Sequence, residues 1–197
     1  MRSINLAGFL FMAACGGSGG DDYAAPVPAA IDPFAAFASA YRQADALPFT
    51  PEVQLVDLGS AQYLGEMRID LPLVSGADPE PYLGRMRMEV AFDGSADPIS
   101  GTIDRFAGPA GDLAGRLNIK EGFVDISSNP RIDPRLDAEF EGALTKGSER
   151  YEVNGAFFGD IFGEDGRNIA GLVYGGTIAR DAESDVFDGS FVVAHTD

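Results

Sequence analysis

Histidine, cysteine and tryptophan are scarce in this 197-residue chain, which has one histidine, one cysteine and no tryptophan. One cysteine cannot form a disulfide within the chain, and zinc sites and Ser–His–Asp or Cys–His sites need several such residues held together. His195 lies among the last three residues, where neither an orienting partner nor a cleft is expected. The sequence therefore predicts a protein that is not an enzyme, with no catalytic residue, no metal site and no cofactor. A single axial haem ligand is the one alternative role for His195.

Positive charge is also scarce. Lysine and arginine together number 14, against 31 aspartates and glutamates, and the net charge is −17. A surface of this charge repels nucleic-acid phosphates and anionic lipid head groups. The composition therefore argues against a nucleic-acid partner and against membrane attachment through a basic patch.

Long apolar runs are absent, and the N-terminal run at 4–12 is too short to cross a bilayer. It follows Arg2 and precedes two alanines, which is the layout of a secretory signal peptide. Residues 12–15, Met-Ala-Ala-Cys, resemble a bacterial lipobox, in which cleavage precedes the cysteine and the thiol is acylated. We predict a lipoprotein signal peptide at 1–14 and lipidation of Cys15, with an ordinary secretory signal as the alternative. Position 16, after the cysteine, is Gly and not the Asp that marks retention in the inner membrane. We therefore expect the protein to lie at the outer membrane, anchored by lipid.

Residues 15–50 are predicted to form a lipidated tether and one short helix. Gly, Ser and Pro dominate 16–28, which is typical of an extended, flexible linker. A helix is predicted at 31–47, because Asp32 can cap it, Pro33 suits its first turn and aromatic residues recur at helical spacing. We expect this helix to pack on the domain and plug one end of it, and the alternative is a helix that docks a partner.

Beyond residue 50, apolar and polar residues alternate, weakly at 52–58 and clearly in eight runs at 62–71, 82–92, 99–106, 113–120, 136–144, 151–157, 172–178 and 186–194. Period-two alternation predicts strands with one buried face, and short polar turns favour antiparallel order. We therefore predict an all-β fold over 51–197: a single antiparallel up-and-down β-barrel of about eight strands, preceded by a short helix. Large apolar side chains at the inward positions favour a filled interior over a wide cavity. Charged outward positions, such as Arg87 and Glu139, exclude a barrel embedded in lipid.

The most informative stretch is a predicted hairpin from Tyr151 to Ile178. Alternation places Tyr151, Val153, Gly155 and Phe157 on one face of its first strand, and Leu172, Tyr174, Gly176 and Ile178 on one face of its second. Repeated glycines inside strands indicate sharp bending or close backbone approach. Ile161 and Phe162 are apolar residues in an otherwise polar turn. They are the candidate ligand-binding residues, and the alternative is that Phe162 folds back onto the barrel end.

The residues of this hairpin resemble a known family. Residues 153–159, Val-Asn-Gly-Ala-Phe-Phe-Gly, followed by Ile169-Ala170-Gly171, resemble the conserved hairpin of the transferrin-binding protein B-like β-barrel domain. That domain occurs in surface lipoproteins of Gram-negative bacteria, including factor H-binding and haem-binding relatives. The resemblance implies solute or protein binding at the cell surface and a TonB-dependent receptor as a partner.

By this resemblance, the expected function is capture of a nutrient or its carrier, with iron-related compounds as candidates, for an outer-membrane transporter. Recognition would use loops at one end of the barrel. Two alternatives stay open: a surface lipoprotein that binds a host or envelope protein without transport, and a small inhibitor of an envelope enzyme.

Overall fold

The computed structural model describes residues 31–126 and 134–196. Two short helices precede eight long strands: α1 (Pro33–Asp45), α2 (Glu52–Leu58), β1 (Ser60–Leu71), β2 (Glu80–Ala91), β3 (Ile99–Ala107), β4 (Leu113–Asp125), β5 (Arg135–Lys146), β6 (Glu149–Phe162), β7 (Asn168–Arg180) and β8 (Glu183–His195). Each strand pairs antiparallel with the next, and β8 pairs with β1 to close the sheet. The predicted eight-stranded up-and-down barrel is confirmed.

Alternation directs every second side chain into the barrel. On β2, Met86, Met88 and Val90 are buried inside, and the charged residues between them point outward. Three phenylalanines fill the middle: the Phe157 ring lies 4.9 Å from that of Phe191 and 6.4 Å from that of Phe140. Side chains therefore fill the interior, as the sequence predicts.

Glycines allow neighbouring strands to approach closely. Gly171 of β7 pairs with Gly159 of β6, and a Cβ on Gly171 would overlap the carbonyl oxygen of Phe158. Gly65 of β1 has the same relation to the carbonyl oxygen of Val192. The predicted close backbone approach is therefore observed at these strand interiors.

A β-bulge in β7 corrects one predicted face. Three steps along β7, from Tyr174 to Thr177, match two steps on β6, and Gly175 has a left-handed backbone (φ 59°). The extra residue reverses the alternation, so Leu172 and Tyr174 point outward while Gly176 and Ile178 point inward. The expected single face of four residues is wrong for this reason.

Helix α1 begins as predicted, with the Asp32 carboxylate accepting a hydrogen bond from the Phe34 N–H and Pro33 in the first turn. It does not plug the barrel. Its buried residues Phe37 and Ala44 join a cluster with outward-facing residues of the strands: Leu83, Phe162, Ala170 and Val192. The helix therefore packs against the outside of the wall, where it covers parts of β7 and β8.

Residues 52–58 form helix α2 rather than the predicted lead-in strand. Leu55 is fully buried in the barrel core, Leu58 packs against that core, and Gly59 ends the helix with a positive φ of 71°. The spacing of Leu55 and Leu58 is helical, and a C-terminal glycine is typical of a helix end. Helix α2, not α1, closes the end of the barrel at which Leu55 is buried.

Candidate functional site

The structure buries Ile161 and Phe162, so the exposed contact expected at this turn is not formed. Ile161 points into the barrel core, and its backbone N–H donates to the Pro134 carbonyl while its own carbonyl accepts from Thr50. Phe162 points outward and stacks on Phe49, with ring centroids 5.2 Å apart. Phe162 thus folds back onto the barrel. A ligand-binding role for Ile161 and Phe162 stays a prediction, and neither side chain is exposed to support it.

The turn after β6 is held in place by hydrogen bonds. The Thr50 hydroxyl donates to the Gly163 carbonyl at 2.7 Å, and the buried Tyr63 hydroxyl donates to the Gly166 carbonyl at 2.8 Å. The Asp165 N–H donates to the Gln54 side-chain oxygen of α2 at 3.1 Å. Burial raises the pKa of Tyr63 well above its usual range, so the phenol stays a donor. This end of the barrel is a fixed plug rather than an open mouth.

The best-formed candidate site lies on the outer wall instead. A cavity of about 340 Å³ opens between β1 and β3, across β2. A second cavity, of about 700 Å³, continues between β1 and the side of α1. Both are lined by Leu64 and Arg85, and we call them together the Arg85 groove; its other outward-facing lining residues include Gln62, Glu66, Arg87, Ser100 and Thr102. The volumes fall in the range of small-molecule sites.

Arg85 carries the chemistry of this groove. Its cross-strand partners are Glu66 on β1 and Asp104 on β3, yet no ion pair joins Arg85 to either of them or to any other carboxylate in the described ranges. Burial raises the pKa of the Glu66 carboxyl. The N–H groups of the Arg85 guanidinium are therefore available to a ligand. Beside them lies the apolar Leu64, which is 38% exposed. An anion with an apolar portion matches this pair.

The neighbouring Arg87 is engaged differently. It forms an ion pair with Asp104 of β3, and Arg116 of β4 lies 4.0 Å from the same carboxylate oxygen. The other oxygen of Asp104 is buried and has no hydrogen-bond partner among the described residues. Asp104 thus fixes Arg87 against β3 and leaves Arg85 as the available cation.

His195 does not line this groove, although its neighbours Ala194 and Thr196 do. His195 is at the end of β8, with its ring 5.7 Å from that of Tyr63. Cys15 and the predicted signal peptide lie outside the described residues. Within 31–126 and 134–196, no group of histidine, cysteine and carboxylate side chains is arranged to hold a metal ion. In the same ranges, neither helix is long and apolar enough to cross a membrane.

Comparison of the sequence with family models and with curated proteins finds no match to either. The resemblance of the 151–178 hairpin to the transferrin-binding protein B-like domain therefore remains a hypothesis.

Sequence reasoning missed the groove although it placed its side chains correctly. The alternation on β2 predicts that Arg87 points outward, and the structure confirms this; Arg85 lies on the same outward face. What the sequence could not show is which of the two has a carboxylate partner. That depends on β3, where Asp104 lies across from Arg85 in the strand register but forms its ion pair with Arg87. Only the paired strands reveal that Arg85 is left open.

Proposed function

We propose that this chain is a lipid-anchored binding protein of the Gram-negative outer membrane, displayed on the cell surface. In this proposal it captures a nutrient or its carrier, with iron compounds as candidates, and delivers it to a TonB-dependent receptor. The lipobox-like sequence that ends at Cys15 supports the anchor, and the resemblance of residues 153–159 supports the surface role.

The observation that carries a binding function is the open guanidinium of Arg85. The barrel interior is filled, so recognition falls to its outside. In a chain of net charge −17, an arginine that forms no ion pair with any carboxylate of the described residues, beside an exposed leucine, selects a small anion with an apolar portion. Ser100 and Thr102 line the same cavity and offer hydroxyl groups to the ligand. The ligand class proposed for the groove is therefore an anionic chelate or carboxylate.

The test titrates the folded protein with haem and with ferric citrate, and records affinity and melting temperature. A ligand that binds only the folded state raises the apparent stability. Arg85→Gln removes a charged hydrogen bond worth about 1.5–3 kcal/mol, so affinity is expected to fall about tenfold or more. Glu66→Gln removes a negative charge from the groove and is expected to strengthen binding.

Arg150→Gln is the matched control, because Arg150 lies on β6 and forms an ion pair with Glu152. It removes the same charge without touching the groove. Equal losses in Arg85→Gln and Arg150→Gln, or no binding of either probe, would contradict the proposed site. The anchor is tested separately: Cys15→Ser is expected to abolish incorporation of labelled palmitate and release the protein from the membrane fraction.

A further inference from the structure

A second surface lies on β6 and β7, and none of its residues lines the Arg85 groove. Phe158 of β6 and Leu172 of β7 are cross-strand partners, and Tyr174 follows on β7. Their side chains are 38%, 46% and 43% exposed, and the rings of Phe158 and Tyr174 lie 5.9 Å apart. Three adjoining large apolar side chains on a sheet exterior form a patch of the kind that marks an interaction site.

The bulge at Gly175 lets Leu172 and Tyr174 face outward while Ile178 faces inward. Without the extra residue, strict alternation would place all three side chains on one face of β7. Bulges re-aim side chains at particular points of a sheet, and this one brings two large side chains beside Phe158. Exposure of Leu172 and Tyr174 together with burial of Ile178 thus follows from a specific feature of the backbone.

Acidic groups border the patch on both sides. The Tyr174 hydroxyl lies 2.9 and 3.0 Å from the two carboxylate oxygens of Asp137, to which it donates. Asp188 is exposed on β8, between the residues that pair with Val173 and Gly176. In the part of the chain that the structure describes, neither Asp137 nor Asp188 forms an ion pair. We call Phe158, Leu172, Tyr174, Asp137 and Asp188 the Phe158 surface.

We propose that the Phe158 surface docks a basic segment of a partner protein. An aliphatic or aromatic side chain of the partner packs on Phe158, Leu172 and Tyr174, and flanking lysines or arginines meet Asp137 and Asp188. Aromatic residues are enriched at the centres of protein interfaces, and charges at the rim set partner choice.

Charge decides between the occupants that an apolar patch could take. A second copy of this chain would bring Asp137 and Asp188 close to the same acidic residues, in a protein of net charge −17. An anionic lipid surface is repelled for the same reason. A basic segment is the occupant that offsets both carboxylates. This inference is independent of the Arg85 groove, because none of the five residues of the Phe158 surface lines it.

The test measures binding of short fluorescent peptides to the folded protein by anisotropy. The first peptide has a leucine flanked by lysines, the second has serine in place of the leucine, and the third has glutamates in place of the lysines. The first is expected to bind, the second about tenfold or more weakly, and the third not at all. Salt is expected to weaken the first complex, since its flanking ion pairs are exposed.

Two protein variants separate apolar docking from plain charge attraction. Leu172→Asp and Val186→Asp each add one negative charge at an exposed position, and Val186, on β8, is 77% exposed. Charge attraction alone would strengthen peptide binding in both variants. The proposal expects Leu172→Asp to weaken it about tenfold or more, and Val186→Asp to leave it equal or stronger.

Three results would overturn the proposal. One is equal binding of the leucine and serine peptides, and another is the same behaviour of the two aspartate variants. The third is a concentration-dependent dimer, seen by light scattering and lost in Leu172→Asp, which would assign the surface to a second copy. Unchanged circular dichroism and melting temperature in Leu172→Asp exclude misfolding as the cause of a loss. Haem and ferric citrate binding to Leu172→Asp reports on the groove separately.

Discussion

The two halves of the barrel wall differ in the chemistry of their outward side chains. Around β2 and β4 the outward positions carry four cations, Arg85, Arg87, Arg116 and Lys120, with Glu89, Asn118 and the exposed Phe123 among them. On β5 they are mostly acidic, and β6 and β7 add exposed aromatic and aliphatic residues: Asp137, Glu139, Glu141, Phe158, Leu172 and Tyr174. One half suits an anionic ligand, and the other suits a basic one.

The comparison teaches that one core can support two independent surfaces. Both halves direct the same kind of large apolar side chain inward, as Met86 on β2 and Phe157 on β6 show. Stability comes from that shared interior, which every strand enters at alternate positions. Outward positions are therefore free to differ from one half to the other without loss of the fold.

The largest expected effect comes from breaking the shared core. Phe157→Ala removes a fully buried ring in contact with two others, and we expect the free energy of unfolding to fall by about 3–5 kcal/mol. Phe158→Ala, one residue along, removes a half-exposed ring and is expected to cost well under about 1.5 kcal/mol. Urea unfolding of both variants checks this contrast. Similar losses in the two variants would contradict the assignment of Phe158 to the outside.

The barrel could be predicted because alternation repeats over long strands, and one buried face is the simplest explanation of it. The bulge in β7 could not be predicted, because Gly175 and Gly176 are adjacent. The sequence is therefore compatible with a strand register that has an extra residue and with one that has none. Helix α2 was misread because Val53 and Leu55 also fit a period of two over seven residues. The signal that would have corrected it is Gly59, which follows the run and ends the helix.

Candidate sites were harder to predict than the fold for a physical reason. A turn with Ile161 and Phe162 looks exposed in sequence, yet Phe49 and the core cover both side chains. Whether Arg85 forms an ion pair, and whether acidic side chains lie beside Phe158, depends on residues of neighbouring strands. Such information is absent until the register of each strand pair is known.

A smaller loss of stability is expected from a substitution in the β7 bulge, and its effect on binding should be confined to the acidic half of the wall. Gly175→Ala places a Cβ in open space, so its cost comes from the left-handed backbone and amounts to about 1–2 kcal/mol. Gly147→Ala is the matched control, with a φ of 61°, open space around it and a position in the turn between β5 and β6. Both variants should lose similar stability in urea. Only Gly175→Ala should also weaken binding of the leucine–lysine peptide, and equal peptide affinities in the two would show that the bulge does not shape the Phe158 surface.

The smallest expected effect concerns the cationic half and the protonation of Glu66. Burial raises the pKa of this carboxyl, so the folded state binds more protons than the unfolded state just above the ordinary glutamate pKa of about 4.3. Stability contributed by the protonated form is present below that value and is lost as pH rises through the folded pKa. Urea unfolding at several pH values should show this decline in the wild type and not in Glu66→Gln. Arg85→Gln should keep the decline, because Arg85 does not pair with Glu66; a Glu66 pKa that rises clearly in this variant, followed by carboxyl NMR, would show that the two side chains do pair and that the groove lacks an open cation.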